Sequence, residues 1–160
     1  MARKTSFAAS TLNVSVSERL VIDGRDYGGV SSFSIANIKD VSKRLVTVLH
    51  SAESVIATFS TVIGAGNFIA ANTMYIRFTN LDTTNFITLT FRNQDNDEVA
   101  IKLDNTKTII LCASDEGMVA MLNATEDADA AYSTNLGSLT NIQARADSAS
   151  VDLEMFIASK

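Results

Sequence analysis

Residues 73–92 read TMYIRFTNLDTTNFITLTFR. Successive side chains of an extended chain point to opposite faces. Met74, Ile76 and Phe78 therefore share one face, and Tyr75, Arg77 and Thr79 the other. Beyond the polar connector NLDTTN, Ile87, Leu89 and Phe91 share a face, opposite Phe86, Thr88 and Thr90. Two alternating runs joined by a short Asn/Asp/Thr segment predict a β-hairpin.

The same period of two extends in both directions. Leu12, Val14 and Val16 alternate with Asn13, Ser15 and Ser17. Leu20 to Ile22 runs into Asp23-Gly24, a strong turn signal, and Gly28-Gly29 precedes Val30 to Ile35. KRLVTVLHS (43–51) and SVIATFSTVI (54–63) predict a second hairpin, closed off by Gly64-Ala65-Gly66. EVAIKLD (98–104), KTIILCA (107–113), GMVAMLN (117–123), LTNIQARAD (139–147) and ASVDLEMFIAS (149–159) read as further strands. EDADAAYSTNLGS (126–138) has no sustained period. The expectation is about nine to eleven strands with very little helix. That is one antiparallel β-sandwich or jelly-roll-like barrel spanning residues 1–160, with residues 1–5 a flexible arm. Three sets should be buried: Met74, Ile76 and Phe78; Ile87, Leu89 and Phe91; Val151, Leu153, Met155 and Ile157. Cys112, inside the apolar run IILCA, should lie beside them as a small hydrophobe.

Composition narrows the function. A chain of 160 residues suits one domain with a core of its own. At 46% hydrophobic and a net charge of −5 it is not a disordered chain. Thirteen basic against eighteen acidic residues argue against nucleic acid. No apolar run approaches the roughly 20 residues of a membrane-spanning helix. MARKTSFAAST lacks the apolar stretch of a secretory signal. Charged residues make up 19%, and about 45 positions are Ser, Thr or Asn. Such short neutral polar groups lose little side-chain entropy on docking, which suits a protein that works in contact with others.

The candidate chemical groups each have a plainer reading. His50 is the only histidine, at a strand end without a nucleophile-elbow motif. Cys112 has no cationic neighbour to activate a thiolate, and one histidine with one cysteine does not make a zinc site. Gly64-Ala65-Gly66 lacks the third glycine of a dinucleotide loop, since position 69 is Ile69. Asn93 to Asp97 is oxygen-rich, but the positions a calcium loop gives to glycine and glutamate hold Glu98 and Asp104. Glu126, Asp127 and Asp129 read as a solvated cluster. Asn13-Val14-Ser15 and Asn123-Ala124-Thr125 match a glycosylation triplet that has no meaning without a secretory signal. With no Trp, and with Tyr27, Tyr75 and Tyr132 the only tyrosines, a sugar-stacking cleft is not expected. No catalytic residue, cofactor site or metal site is assigned, and no enzyme is expected.

The segments Tyr75 to Phe86 (YIRFTNLDTTNF), Lys102-Leu103 and Ile142 to Glu154 (IQARADSASVDLE) carry a resemblance. Over roughly residues 44–158 the chain resembles small all-β virion proteins of tailed bacteriophages, especially marine and cyanobacterial phages. The resemblance implies a non-enzymatic structural protein of the virion, first of all a capsid decoration or cement protein on the shell's exterior. A tail, neck or baseplate ring component is the alternative, and a carbohydrate-binding module a more distant one. The implied partners are the major capsid protein or other virion proteins, with self-association into a trimer or larger ring, and neither nucleic acid nor membrane.

Overall fold

The computed structural model describes residues 8–62, 64–94, 96, 98–113 and 139–160. Among these, 68% are strand and 2% helix, the latter one 3-10 turn at Ala70–Asn72. The all-β expectation holds. The expected strand at 117–123, the segment 126–138 and residues 1–5 lie outside the described residues.

Nine of the described strands build two facing sheets: β5 (Asp40–Val48), β6 (Ser54–Ser60), β7 (Asn67–Ile69), β8 (Thr73–Asn80), β9 (Ile87–Asn93), β10 (Glu98–Leu103), β11 (Thr108–Cys112), β12 (Leu139–Ala146) and β13 (Val151–Ser159). One sheet has the order β11-β8-β13-β5 and the other β10-β9-β12-β6-β7. Four antiparallel pairs are nested: β9 with β10, β8 with β11, β6 with β12, and β5 with β13. That is one long hairpin rolled up on itself. The roll is completed by β12 against β9 and β13 against β8. The result is the jelly-roll form of the β-sandwich, open at its edges.

Two expected hairpins are corrected by this topology. β8 and β9 lie in different sheets, and so do β5 and β6. Alternation along a strand reports which face is buried and not which strand lies beside it, so a strand pair bridging two sheets carries the same pattern as a hairpin. The connector NLDTTN turns the chain from one sheet to the other. Asn80 is fully buried; its Nδ2 donates to the carbonyls of Asn85 (2.9 Å) and Leu103 (3.3 Å), and its Oδ1 accepts from Asp82 N (2.9 Å). Asp82 Oδ1 in turn accepts from the backbone N–H groups of Thr84 and Asn85, both at 2.6 Å. These side chains supply the backbone with partners that a ladder would otherwise provide. β9 and β10, by contrast, do pair as a true hairpin, with Asn96 between them at φ 64°.

Because β8 and β9 face each other across the sandwich, their apolar faces meet. Ile76, Phe78, Ile87, Leu89, Leu153 and Ile142 are each fully buried in one core, with Phe91, Val151, Met155 and Ile157 at most 3% exposed. The three expected core sets are buried. Met74 is buried too, but in a second cluster with Ile35, Ile38, Tyr75 and Ala158, where the N-terminal strands join the sandwich. Cys112 is the exception, being exposed. Among the described residues β11 is an edge strand: Ile109 and Leu111 pack on the main core, while Cys112 lies on the opposite face, opposite Tyr75 at the strand's end. Alternation within IILCA could put only every second residue in the core, and Leu111 took that place.

Candidate functional site

Residues 10–38 form a separate unit. β1 (Ser10–Glu18) pairs antiparallel with β4 (Gly29–Ile38), and β2 (Val21–Ile22) with β3 (Arg25–Asp26), giving one long hairpin whose chain continues through Lys39 into β5. Its tip is set by sequence. Asp23 and Gly24 have φ of 50° and 78°, the positive pair that a two-residue turn of this hand requires. At Gly28 a side chain is sterically barred, since a Cβ would sit 2.2 Å from the Glu18 carbonyl oxygen. Tyr27 N donates to Leu20 O (2.7 Å), which carries the ladder from the shaft into the tip.

The register makes the hairpin amphipathic. Leu12 lies opposite Ile35, Val14 opposite Phe33, and Val16 opposite Ser31, all on one face. The other face pairs Asn13 with Ser34 and Ser15 with Ser32, whose hydroxyls are 3.2 Å apart. The apolar face is used unevenly. Near the sandwich Ile35 is 1% exposed, and Leu12 and Val14 are half-buried against the second cluster. Further out the same face opens, with Phe33 at 37% and Val16 at 39%, and at the tip Leu20, Val21, Ile22 and Tyr27 are 50–59% exposed.

Beneath the hairpin lies the outer face of the four-stranded sheet. Between the two is a wedge-shaped cleft of about 510 Å³, lined above by Leu12, Val14 and Val16 and below by Tyr75, Ile110 and Phe156. Lys43 and Arg77 line it as well, and both pair with one carboxylate. Glu154 is held between Lys43, at 3.1 Å, and Arg77. The Arg77 guanidinium lies 5.7 Å from the centre of the Phe156 ring, and Tyr75 meets that ring edge-on at 5.8 Å. Burial raises the Tyr75 phenol above its usual value, partly offset by Arg77 and reinforced by Cys112, so Tyr75 is a neutral floor residue at physiological pH. The outer face of the other sheet is polar by contrast. Arg145, Gln143 and Asn141 on β12 lie beside Thr88, Thr90 and Arg92 on β9, and Arg92 pairs with Glu98.

The candidate groups weighed from the sequence are scattered over this framework. His50 is exposed just beyond β5, and its carbonyl accepts from Arg145 Nε at 3.1 Å. Glu98 and Asp104 sit at opposite ends of β10, paired with Arg92 and with Lys102 (2.8 Å). Gly64 to Gly66 is a turn, with Gly66 at φ 83°. Asn13 and Ser15 are on the hairpin, Tyr27 is at its tip and Tyr75 on the wedge floor. Asn123 to Thr125, Glu126, Asp127, Asp129 and Tyr132 lie outside the described residues. Among the described residues no three His, Cys, Asp or Glu side chains gather as a metal site would need. The sequence reading did not single out Leu20, Val21 and Ile22 as functional. Their signal was three apolar residues abutting a DG turn, where a tip surrounded by water would be polar.

No protein-family model matches the chain, and no curated protein matches it. A solved structure titled "Bacillus endospore appendages form a novel family of disulfide-linked pili" superposes with a TM-score of 0.44 at 8% identity, over 100% of this chain and 96% of that one.

Proposed function

We propose that this chain is a non-enzymatic structural subunit that works by protein–protein docking. The observation that carries the reading is the amphipathic hairpin, whose apolar face is buried at its base and opens at Phe33 and Val16, and whose tip exposes Leu20, Val21, Ile22 and Tyr27. Leaving large apolar side chains clustered in water is unfavourable by roughly 25 cal/mol for each Å² they could bury. Contiguous patches of this kind mark interaction sites in soluble proteins. The fold by itself does not choose among functions, because jelly rolls serve capsids, lectins and small-molecule enzymes alike.

Within that reading, the finer assignment rests on the resemblance across residues 44–158. The assembly is the virion of a tailed bacteriophage, and the chain decorates the exterior of its capsid, in contact with the major capsid protein and with its own copies. A small rolled sandwich with one docking hairpin is suited to bridging neighbouring shell subunits, where many modest contacts on a lattice add up. Counting copies per purified particle tests it. Hundreds per particle, and shells that assemble without the chain but burst more readily on heating or osmotic shock, are expected. A count near a dozen, with normal heads that never become infectious, would overturn decoration in favour of a tail or neck ring.

A further inference from the structure

Resting on the docking reading above, we infer that the hairpin's partner is a second copy of this chain, and that its tip seats in the wedge of the neighbour, head to tail. Three observations on the one molecule lead there. The first is that among the described residues nothing fills either tip or wedge, and that the two are complementary in kind. The tip offers Leu20, Val21, Ile22 and Tyr27, each at least half exposed. The wedge, about 510 Å³ and so within the size range of ligand pockets, offers Leu12, Val14, Val16, Ile110 and Phe156, with Asn13, Ser15 and Thr108 among them.

Charge is the second. The tip segment 18–26 holds Glu18, Asp23 and Asp26 against Arg19 and Arg25, leaving one net negative charge. The wedge lining includes Lys43 and Arg77, both paired with Glu154, which leaves one net positive charge in the group. Opposite excess on the two surfaces favours their encounter and disfavours tip-to-tip or wedge-to-wedge pairing.

Reach is the third. The wedge touches β1 from Leu12 to Val16, while the tip turn at Asp23-Gly24 lies seven or more residues further along the same ladder. At about 3.3 Å per residue this is on the order of 20 Å of paired strand, so a molecule does not place its own tip in its own wedge. The exposed apolar side chains at the tip and outer shaft amount to on the order of 500 Å², less than the roughly 800 Å² per partner of a standard stable interface. Each contact is therefore modest. Because tip and wedge are different surfaces, the contact is heterologous and propagates into a ring or an open chain.

The test is complementation between two full-length variants. Val21→Asp with Ile22→Asp disables the tip and leaves the wedge; Ile110→Asp disables the wedge and leaves the tip. Wild type is expected to rise in mass with concentration in sedimentation, from the 17.2 kDa monomer upward. Each variant alone should stay monomeric, and an equimolar mixture should form a dimer of the two and stop there. Should Ile110→Asp fail to keep the wild-type circular dichroism, a disulfide between Ile22→Cys and Thr108→Cys, each in a Cys112→Ser background, reads the same contact between copies. Self-association that survives both variants, or a mixture that stays monomeric without the disulfide, would overturn tip-in-wedge docking and leave the structural role standing. A wild type that remains monomeric to about 1 mM and is missing from purified particles would instead remove the structural role.

Discussion

Asn80 is where the fold's two sheets are tied by a single side chain, and its removal has a calculable effect. Asn80→Ala deletes two donations, to Asn85 O and Leu103 O, and one acceptance, from Asp82 N. Each such bond contributes about 1 kcal/mol net, and a buried group left without a partner loses 1–3 kcal/mol. Leu103 is 4% exposed, so water does not readily replace the lost donor at its carbonyl. The expected loss is about 3 kcal/mol, which for a chain of this size is a fall in Tm of about 6–12 °C. Urea denaturation followed by circular dichroism measures it, through a lower midpoint at unchanged slope. Asn105→Ala is the matched control, because Asn105 Nδ2 donates to Thr83 O (2.8 Å) at the exposed side of the same loop. Its loss should stay within about 0.5 kcal/mol. If Asn80→Ala costs less than about 1 kcal/mol, or no more than the control, the inter-sheet tie is not what holds this connector.

Phe78→Ala should cost about 3–5 kcal/mol, since its side chain is fully buried at the centre of the sandwich; a loss under about 1 kcal/mol in the same denaturation assay would mean that its face is not the core face. Asp82 has its pKa lowered chiefly by the Asn85 and Thr84 backbone donors. The stabilisation it gives is thus present above the unfolded value of 3.8 and fades as pH falls through the lower folded value. The stability difference between wild type and Asp82→Asn should therefore shrink below about pH 4 in a pH series of melts, and a constant difference would contradict it. Cys112 is exposed, so the native protein should titrate one thiol with an aromatic disulfide reagent at a rate close to that of the urea-unfolded chain; protection by more than about tenfold would restore the buried placement.

What was legible in the sequence, and what was not, divides along physical lines. Faces were legible. The alternation at 74–78, 87–91 and 151–157 depends only on the pleat and on burial, and all of those apolar positions are inside. Pairing was not. β8 and β9 alternate as hairpin partners would, yet they belong to opposite sheets, because the information lies in the connector's geometry. Asn80, Asp82 and Asn85 hold that geometry through side-chain bonds that no spacing rule announces. Cys112 failed for a related reason: only every second residue of β11 faces the main core, and on the other face the packing takes in Ile110 but leaves Cys112 exposed. The hairpin was legible as strands and as turns, through 12–16, Asp23-Gly24 and Gly28-Gly29. Its role was not, because the exposure of Leu20 to Tyr27 depends on how far residues 10–38 extend beyond the body that covers their base.

The placement of that hairpin also bears on why association would run through it and not through the sandwich. An open sheet has edges whose unpaired backbone groups invite any passing strand. Among the described strands β7, at one edge of the five-stranded sheet, is three residues long. β10, at the other edge, carries Glu98 and Lys102. β5, at one edge of the four-stranded sheet, carries Asp40, Lys43 and Arg44, and β11 at its other edge is five residues long. Short and charged edges resist indiscriminate strand addition. The hairpin differs: β1 and β4 form a two-stranded sheet, so each still presents ladder groups along its outer edge, and its apolar side chains are what can make a contact there selective. Contacts made by side chains depend on shape and on the sign of charge and can be matched to one partner surface, whereas ladder contacts are nearly sequence-blind. A chain built this way keeps its core and its docking element apart. Substitutions at Leu20 to Tyr27 should change assembly with little effect on the melting of the sandwich, and Phe78→Ala should lower the melting temperature while leaving the association of the folded fraction unchanged.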